Sequence, residues 1–153
     1  MTDSTISDRI QADLAAAMKA READTLSTLR MLKSELMVEK TRKAKDAVLS
    51  ADEEVAVLQR YVKKRRETIE ELRKSGREDL VAREEAEIEV TRRYLPESLD
   101  ESALRQIVRE AVAATGASGP REMGKVIGAV MAKVKGRAEG GVVSRLVKEA
   151  LGG

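Results

Sequence analysis

The chain contains no cysteine, histidine, phenylalanine or tryptophan, and its only aromatic residues are Tyr61 and Tyr94. Without cysteine there can be no disulfide, thiolate ligand or thiol nucleophile, and the redox compartment cannot be read from cysteine usage. Without histidine the commonest general base and metal ligand is missing, and structural zinc sites are excluded in practice. Carboxylate and lysine chemistry remain, but no catalytic constellation, cofactor motif or metal-ligand spacing stands out. Two tyrosines make a poor stacking platform for single-stranded nucleic acid. No segment approaches the ~18 consecutive apolar residues of a membrane span. The opening MTDSTISDRI has neither a basic region nor an apolar run, so no signal peptide is expected and a cytoplasmic, membrane-independent protein is the default.

What is present points to long amphipathic helices. Of 153 residues, 42% are hydrophobic and 37% charged, with a net charge of +2. The core must be built from Leu, Val, Ile, Met and Ala. Ile6, Ile10, Leu14 and Met18 mark a first helix, capped at Ser4 or Thr5, with Thr5 and Asp8 spaced as a capping box. Leu26, Leu29, Leu32 and Leu36 mark a second, ending in the basic segment Lys40 to Lys45, where the carbonyl end favours cations. Ser50 and Glu53 form a capping box before a third helix with the stripe Val55, Leu58, Val62, Ile69 and Leu72. Gly76 closes it, Leu80, Ile88 and Leu95 continue into a fourth, and Pro96 stops that one. Asp100 or Ser98 then caps a helix carrying Leu104, Ile107, Val108 and Val112. After the turn GASGP, two more helices are separated by KGRAEGG, the last held by Val143, Leu146, Val147 and Ala150. The expected fold is all-α with about seven helices, an N-terminal lobe over 1–96 and a three-helix C-terminal lobe over 97–153.

The segment MGKVIGAVMAKVKGRAEGG, Met123 to Gly141, departs most from ordinary helix composition. Gly124 and Gly128 fall in a helical frame, where each costs about 1 kcal/mol relative to alanine. On a wheel, Met123, Val126, Ile127, Val130, Met131 and Val134 share one arc, with Gly124, Gly128 and Ala132 beside it and Arg121, Lys125 and Lys133 beyond. One reading is helix packing, with the small residues letting a neighbouring helix approach closely. The other is an exposed ridge that admits an RNA backbone next to the lysines. Lys135, Gly136, Arg137 and Gly140 sit in the following turn, either as a solvated helix boundary or as a phosphate cradle. The pattern GxxxxGK[ST] is absent, which argues against a nucleoside-triphosphate site. Across 121–148 seven basic residues, Arg145 and Lys148 among them, face only Glu122 and Glu139. Such a modest patch would read phosphate and shape on a folded RNA, with weak, salt-sensitive affinity.

Two other charged runs read as solvated helix faces. In KKRR, Lys63 to Arg66, Lys63 and Arg66 stand four residues before Glu67 and Glu70, so much of the charge pairs locally. The acidic run REEAEIE, Arg83 to Glu89, lacks the loop geometry of a metal site.

Taken in order, TLRMLKSEL (28–36), VLQRYVKKRRETIEEL (57–72), GREDL (76–80), YLPESL (94–99) and MGKVIGAVMAKVKGRAEG (123–140) resemble the GatB/YqeY family, as a stand-alone YqeY-like protein. The resemblance covers nearly the whole chain, and its last segment is the most specific. It implies a two-lobed all-α fold whose C-terminal lobe is similar to the tail of the aspartyl/glutamyl-tRNA amidotransferase B subunit. In that multi-subunit enzyme the tail helps hold the tRNA body, and catalysis occurs in other domains. The family's carbon–nitrogen ligase label, with glutamine as amido-N-donor, therefore describes the parent complex. This chain has neither the kinase-like cradle nor the amidase serine–serine–lysine constellation. It departs from the family at Ala132, often proline, which lets the sixth helix run further, and at Glu139, commonly Asp.

The resulting expectation is a non-catalytic tRNA-binding or tRNA-associated module, with amidotransferase or translation-related proteins as further partners and no cofactor or metal. Its RNA-facing candidates are Lys125, Lys133, Lys135, Gly136, Arg137, Arg145 and Lys148. The rival is a protein–protein adaptor that docks a partner helix on the Gly124, Gly128, Ala132 ridge. A lysine- or carboxylate-based enzyme would need a buried titratable cluster, of which the sequence gives no sign.

Overall fold

The computed structural model describes residues 4–152. Seven α-helices follow in order: α1 (Ile6–Ala20), α2 (Ala23–Thr41), α3 (Ala51–Lys74), α4 (Glu78–Arg92), α5 (Glu101–Thr115), α6 (Met123–Val134) and α7 (Gly140–Ala150). A 3-10 turn, Pro120–Glu122, precedes α6, and no strand occurs among the described residues. The fold is all-α. The chain separates into two compact units, the first ending at Leu95 and the second beginning at Pro96.

Local chemistry sets the helix ends. Thr5 and Ser50 close reciprocal capping boxes with Asp8 and Glu53. Asp100, rather than Ser98, caps α5 by accepting from the Ala103 N–H at 2.7 Å. Gly76 (φ 72°) and Gly116 (φ 69°) terminate α3 and α5 in the left-handed region, where a side chain would be strained. Helix α6 runs through Ala132 to Val134, as the absence of proline there allows.

The first unit has two apolar clusters. Ile10, Leu29, Leu32 and Leu58 form the centre of one, completed by Ile6, Leu14, Val57, Tyr61 and Tyr94. Val62, Ile69, Val81 and Ile88 form the other, between α3 and α4. Two expected core positions lie elsewhere. Met18 is 58% exposed and Leu80 39% exposed, because Ala17 and Val81, one residue away and so 100° round the helix, take the buried positions. Val57 and Tyr61 enlarge the expected stripe of α3.

Glu54, 2% exposed, is a cap supplied from another helix. Its carboxylate accepts from the Ile6 N–H (3.3 Å), the Ser7 N–H (2.9 Å) and the Ser7 hydroxyl (2.7 Å), covering the positive end of α1. Tyr94 donates to Asp13, and the Arg9 guanidinium lies 5.2 Å from the Tyr94 ring centre.

The second unit packs α5, α6 and α7 around Leu104, Val108, Val126, Val130, Val134, Val143, Leu146 and Val147. Each such side chain removed from water contributes about 1.5–3 kcal/mol. Ala150 is exposed, and Leu151, four residues on from Val147, fills the place expected for it. The segment entering α5 is tied to the α6–α7 connection. The Leu99 N–H donates to the Arg137 carbonyl at 2.9 Å, and Arg137 Nε donates to the Glu97 carbonyl at 3.0 Å.

Candidate nucleic-acid interface

Helix α6 presents two opposed faces. Val126, Val130 and Val134 are buried, while Met123, Ile127 and Met131 are half-buried at the edge. Gly124, Gly128 and Ala132 are all exposed. A Cβ placed on Gly124 or Gly128 would meet nothing within 4 Å. Packing of these small residues against another helix of the chain is therefore not what the fold does. The valines, two positions away and about 200° round the helix, take the neighbouring helices instead. The ridge is a bare strip of backbone facing outward.

The candidate cations divide by what already engages them. Lys125 Nζ donates to the Thr115 carbonyl at 3.1 Å, capping the end of α5. Arg137 holds the segment before α5, as described above. Arg145 belongs to a closed ring of charges with Arg105, Glu101 and Glu149. The four guanidinium–carboxylate distances are 2.8 Å (Arg105–Glu101), 3.1 Å (Arg105–Glu149), 3.4 Å (Arg145–Glu101) and 3.3 Å (Arg145–Glu149). The hydrogen bond from Arg105, and then the charge of Arg145, hold the Glu101 carboxyl below its usual range. Among the described residues, the ammonium groups of Lys133, Lys135 and Lys148 are exposed and make no such bond or pair.

Position divides them again. Lys133 is in the last turn of α6, and Lys135 closes the helix with φ 41° and ψ 57°. Gly136 continues the turn at φ 82°. Lys135 is a non-glycine residue in the left-handed region, where an L side chain costs about 1–2 kcal/mol. Lys133, Lys135, Gly136 and Arg137 thus form one local group. Lys125 lies ten residues before Lys135, about 15 Å along the helix axis. Lys148 stands eight residues into α7 from Gly140, about 12 Å along that helix. Gly140 and Gly141 open α7 as exposed residues behind Glu139, which occupies the N-cap position with extended backbone.

The basic run of α3 is not simply solvated. Arg65 turns toward α4, reaching Glu84 at 3.3 Å and Glu87 at 3.6 Å, with its guanidinium 5.2 Å from the Tyr61 ring centre. Glu67 and Glu70, the expected local partners of Lys63 and Arg66, are exposed. Burial, followed by the neighbouring Glu84 charge, raises the Glu87 carboxyl pKa, and burial pushes the Tyr61 hydroxyl up to about 12. Glu84 and Glu87 were expected on a solvated face. They are half-buried because α3 and α4 pack along this edge. Among the described residues no group of three or more acidic side chains is placed to hold a metal ion.

Sequence reasoning missed Glu54, whose acidic neighbours Asp52 and Glu53 disguise it as part of a charged first turn. It also missed Arg65, hidden inside a uniform basic run. No described helix is long and apolar enough to cross a membrane.

The Yqey-like protein family profile matches residues 7–151, spanning both units. The chain is 32% identical over 147 residues to Altered inheritance of mitochondria protein 41, mitochondrial, of Pyrenophora tritici-repentis, covering 94% of this chain and 80% of that protein. It is 38% identical over 88 residues to an uncharacterized protein of Schizosaccharomyces pombe, covering 58% of this chain and 70% of that one. With helices α2 to α7 and nearly all of α1 inside the matched range, the chain belongs to the YqeY-like protein family.

Proposed function

We propose that the C-terminal unit is a non-catalytic module that holds the backbone of a folded RNA, with tRNA as the partner implied by the resemblance to the amidotransferase tail. The observation that carries this reading is the exposed glycine strip of α6. Its glycines cost helix stability, no contact among the described residues offsets that cost, and lysines unpaired among those residues follow at the end of the helix. A backbone free of side chains lets a phosphodiester chain approach closely, and nearby ammonium groups supply the counter-charge. Lys133 and Lys135 are the primary contacts, with Gly136 giving close approach at the turn. Lys148 is a separate, distal contact. Lys125, Arg137 and Arg145 contribute field and shape the surface, since each already has a partner within the chain.

The test is a gel shift with total tRNA at low salt, comparing wild type with Lys133→Glu/Lys135→Glu. Binding by wild type and its loss in the variant are expected, and the salt slope falls by about one unit per lysine removed. Failure of the wild type to bind sinks the reading. Charge reversals at Lys125, Arg137 or Arg145 are poor probes, because they disturb the fold as well.

The same strip supports a second reading, an adaptor that receives a partner helix on Gly124, Gly128 and Ala132. Gly128→Leu then abolishes partner pull-down, and the lysine reversals leave it intact. A cytoplasmic setting accompanies the first reading. The name of the Pyrenophora relative makes the mitochondrion the alternative, and a tagged chain followed by microscopy separates the two.

A further inference from the structure

A trough of about 640 Å³ runs between α1 and α2 in the first unit. Buried Leu14 lines it, and Met18, Met37 and Val38 wall it at 58%, 58% and 47% exposure. These three are half of the six large apolar side chains that the described chain leaves exposed, so exposed apolar surface is concentrated here. Arg30 and Lys33 line the same trough, no carboxylate does, and neither cation is paired among the described residues. On α2 the lining residues recur at helical spacing from Arg30 through Lys33 and Met37 to Thr41.

We propose that this trough docks an amphipathic helix of a partner protein, apolar along one stripe and acidic along its flank. Charge complementarity selects this occupant: two unpaired cations beside an apolar floor match an acidic flank beside an apolar stripe. Flexible methionine walls suit an incoming helix face, because thioether chains re-pack around different side chains. A small-molecule ligand would need most of its surface enclosed, which half-exposed walls do not provide. A bilayer surface would not enter a trough sunk between two helices. The apolar lining and absence of glycine strip distinguish the site from the RNA surface proposed for the second unit, on which this inference does not depend.

The probes are two stapled peptides of about four helical turns, identical in their leucine stripe and flanked by Glu in one and Lys in the other. Fluorescence anisotropy with the full chain is expected to show the Glu peptide binding roughly tenfold tighter than the Lys peptide. Arg30→Glu/Lys33→Glu inverts that preference, and Met37→Glu weakens both peptides. All three positions are exposed, and circular dichroism checks that the variants fold. Equal affinity for the two peptides, or binding unaffected by Met37→Glu, overturns the proposal. So does a wild-type dimer in sedimentation that Met37→Glu dissolves, which would make a second copy the occupant. Binding to anionic vesicles that the same change abolishes would assign the surface to lipid and also overturn it.

Discussion

The substitution Gly128→Ala separates folding from function on the exposed face of α6. Gly128 lies in the helix interior, its φ is not left-handed, and an added Cβ meets nothing within 4 Å. The methyl group therefore brings no clash. It removes the conformational freedom that glycine gives the unfolded chain, worth about 0.8–1 kcal/mol in a helix interior. Gly124, the second residue of the helix, gives less, about 0.3–0.5 kcal/mol. For a unit of this size, 1 kcal/mol raises the melting midpoint by about 4–8 °C. Calorimetry on the full chain, read on the transition that includes the second unit, is the assay, with amide exchange along α6 as the local readout. The double variant Gly124→Ala/Gly128→Ala should be more stable and bind tRNA more weakly. A fall in stability would mean that the strip is covered by protein after all. A rise in stability with unchanged tRNA affinity would remove the glycines from the interface.

Further outcomes follow from individual contacts. Lys135→Gly relieves a left-handed lysine and should add about 0.5–1 kcal/mol of stability while weakening tRNA binding, measured by urea unfolding and gel shift. Glu54→Ala removes a buried carboxylate that accepts three bonds at the start of α1, and is expected to destabilise the first unit by about 2–3 kcal/mol in urea. The Lys43 ammonium, 2.6 Å away, and the Ser50 N–H hold Glu53 at about 2 against an ordinary 4.5. Its contribution is therefore full above the unfolded value and lost as pH falls from 4.5 toward 2. Lys43→Met should flatten that acid branch of the stability curve, and an unchanged branch would refute the assignment.

Much of the fold is legible in the order of residues because helix boundaries are local events. Thr5 with Asp8, Ser50 with Glu53, Asp100, Gly76 and Pro120 each act within one turn of their own position, and each does so in the structure. Buried faces are legible nearly as well, since a 3.6-residue period fixes which side chains share a side. Errors fall at the margins of those faces. Met18, Leu80 and Ala150 fit the period but sit at its edge, where the neighbouring helix, not the period, decides burial.

The candidate site is legible only in composition. Sequence alone marks α6 and its turn as unusual, because glycine inside a helical frame is costly wherever it occurs. It cannot say which way the glycines face. Nor can it distinguish Lys125, whose ammonium caps α5, from Lys133 and Lys135, which no described residue engages. Arg65 and Arg145 look solvated in the chain, yet Arg65 is held by Glu84 and Glu87 of α4, and Arg145 by Glu101 of α5 as well as by Glu149 of its own helix.

Residue types and short-range spacing thus determined that this protein is all-α, where its capped helices α1, α3 and α5 begin, and which family it belongs to, whereas α4 ends at Arg92, short of the expected stop at Pro96, and α7 starts at Gly140, inside the expected KGRAEGG break. Tertiary packing alone decided which cations are already engaged, which glycines are bare and where apolar surface is left uncovered. Caps and periodicities depend on neighbours within a turn. The state of an exposed charge or glycine depends on which distant helix arrives beside it, and no local pattern records that.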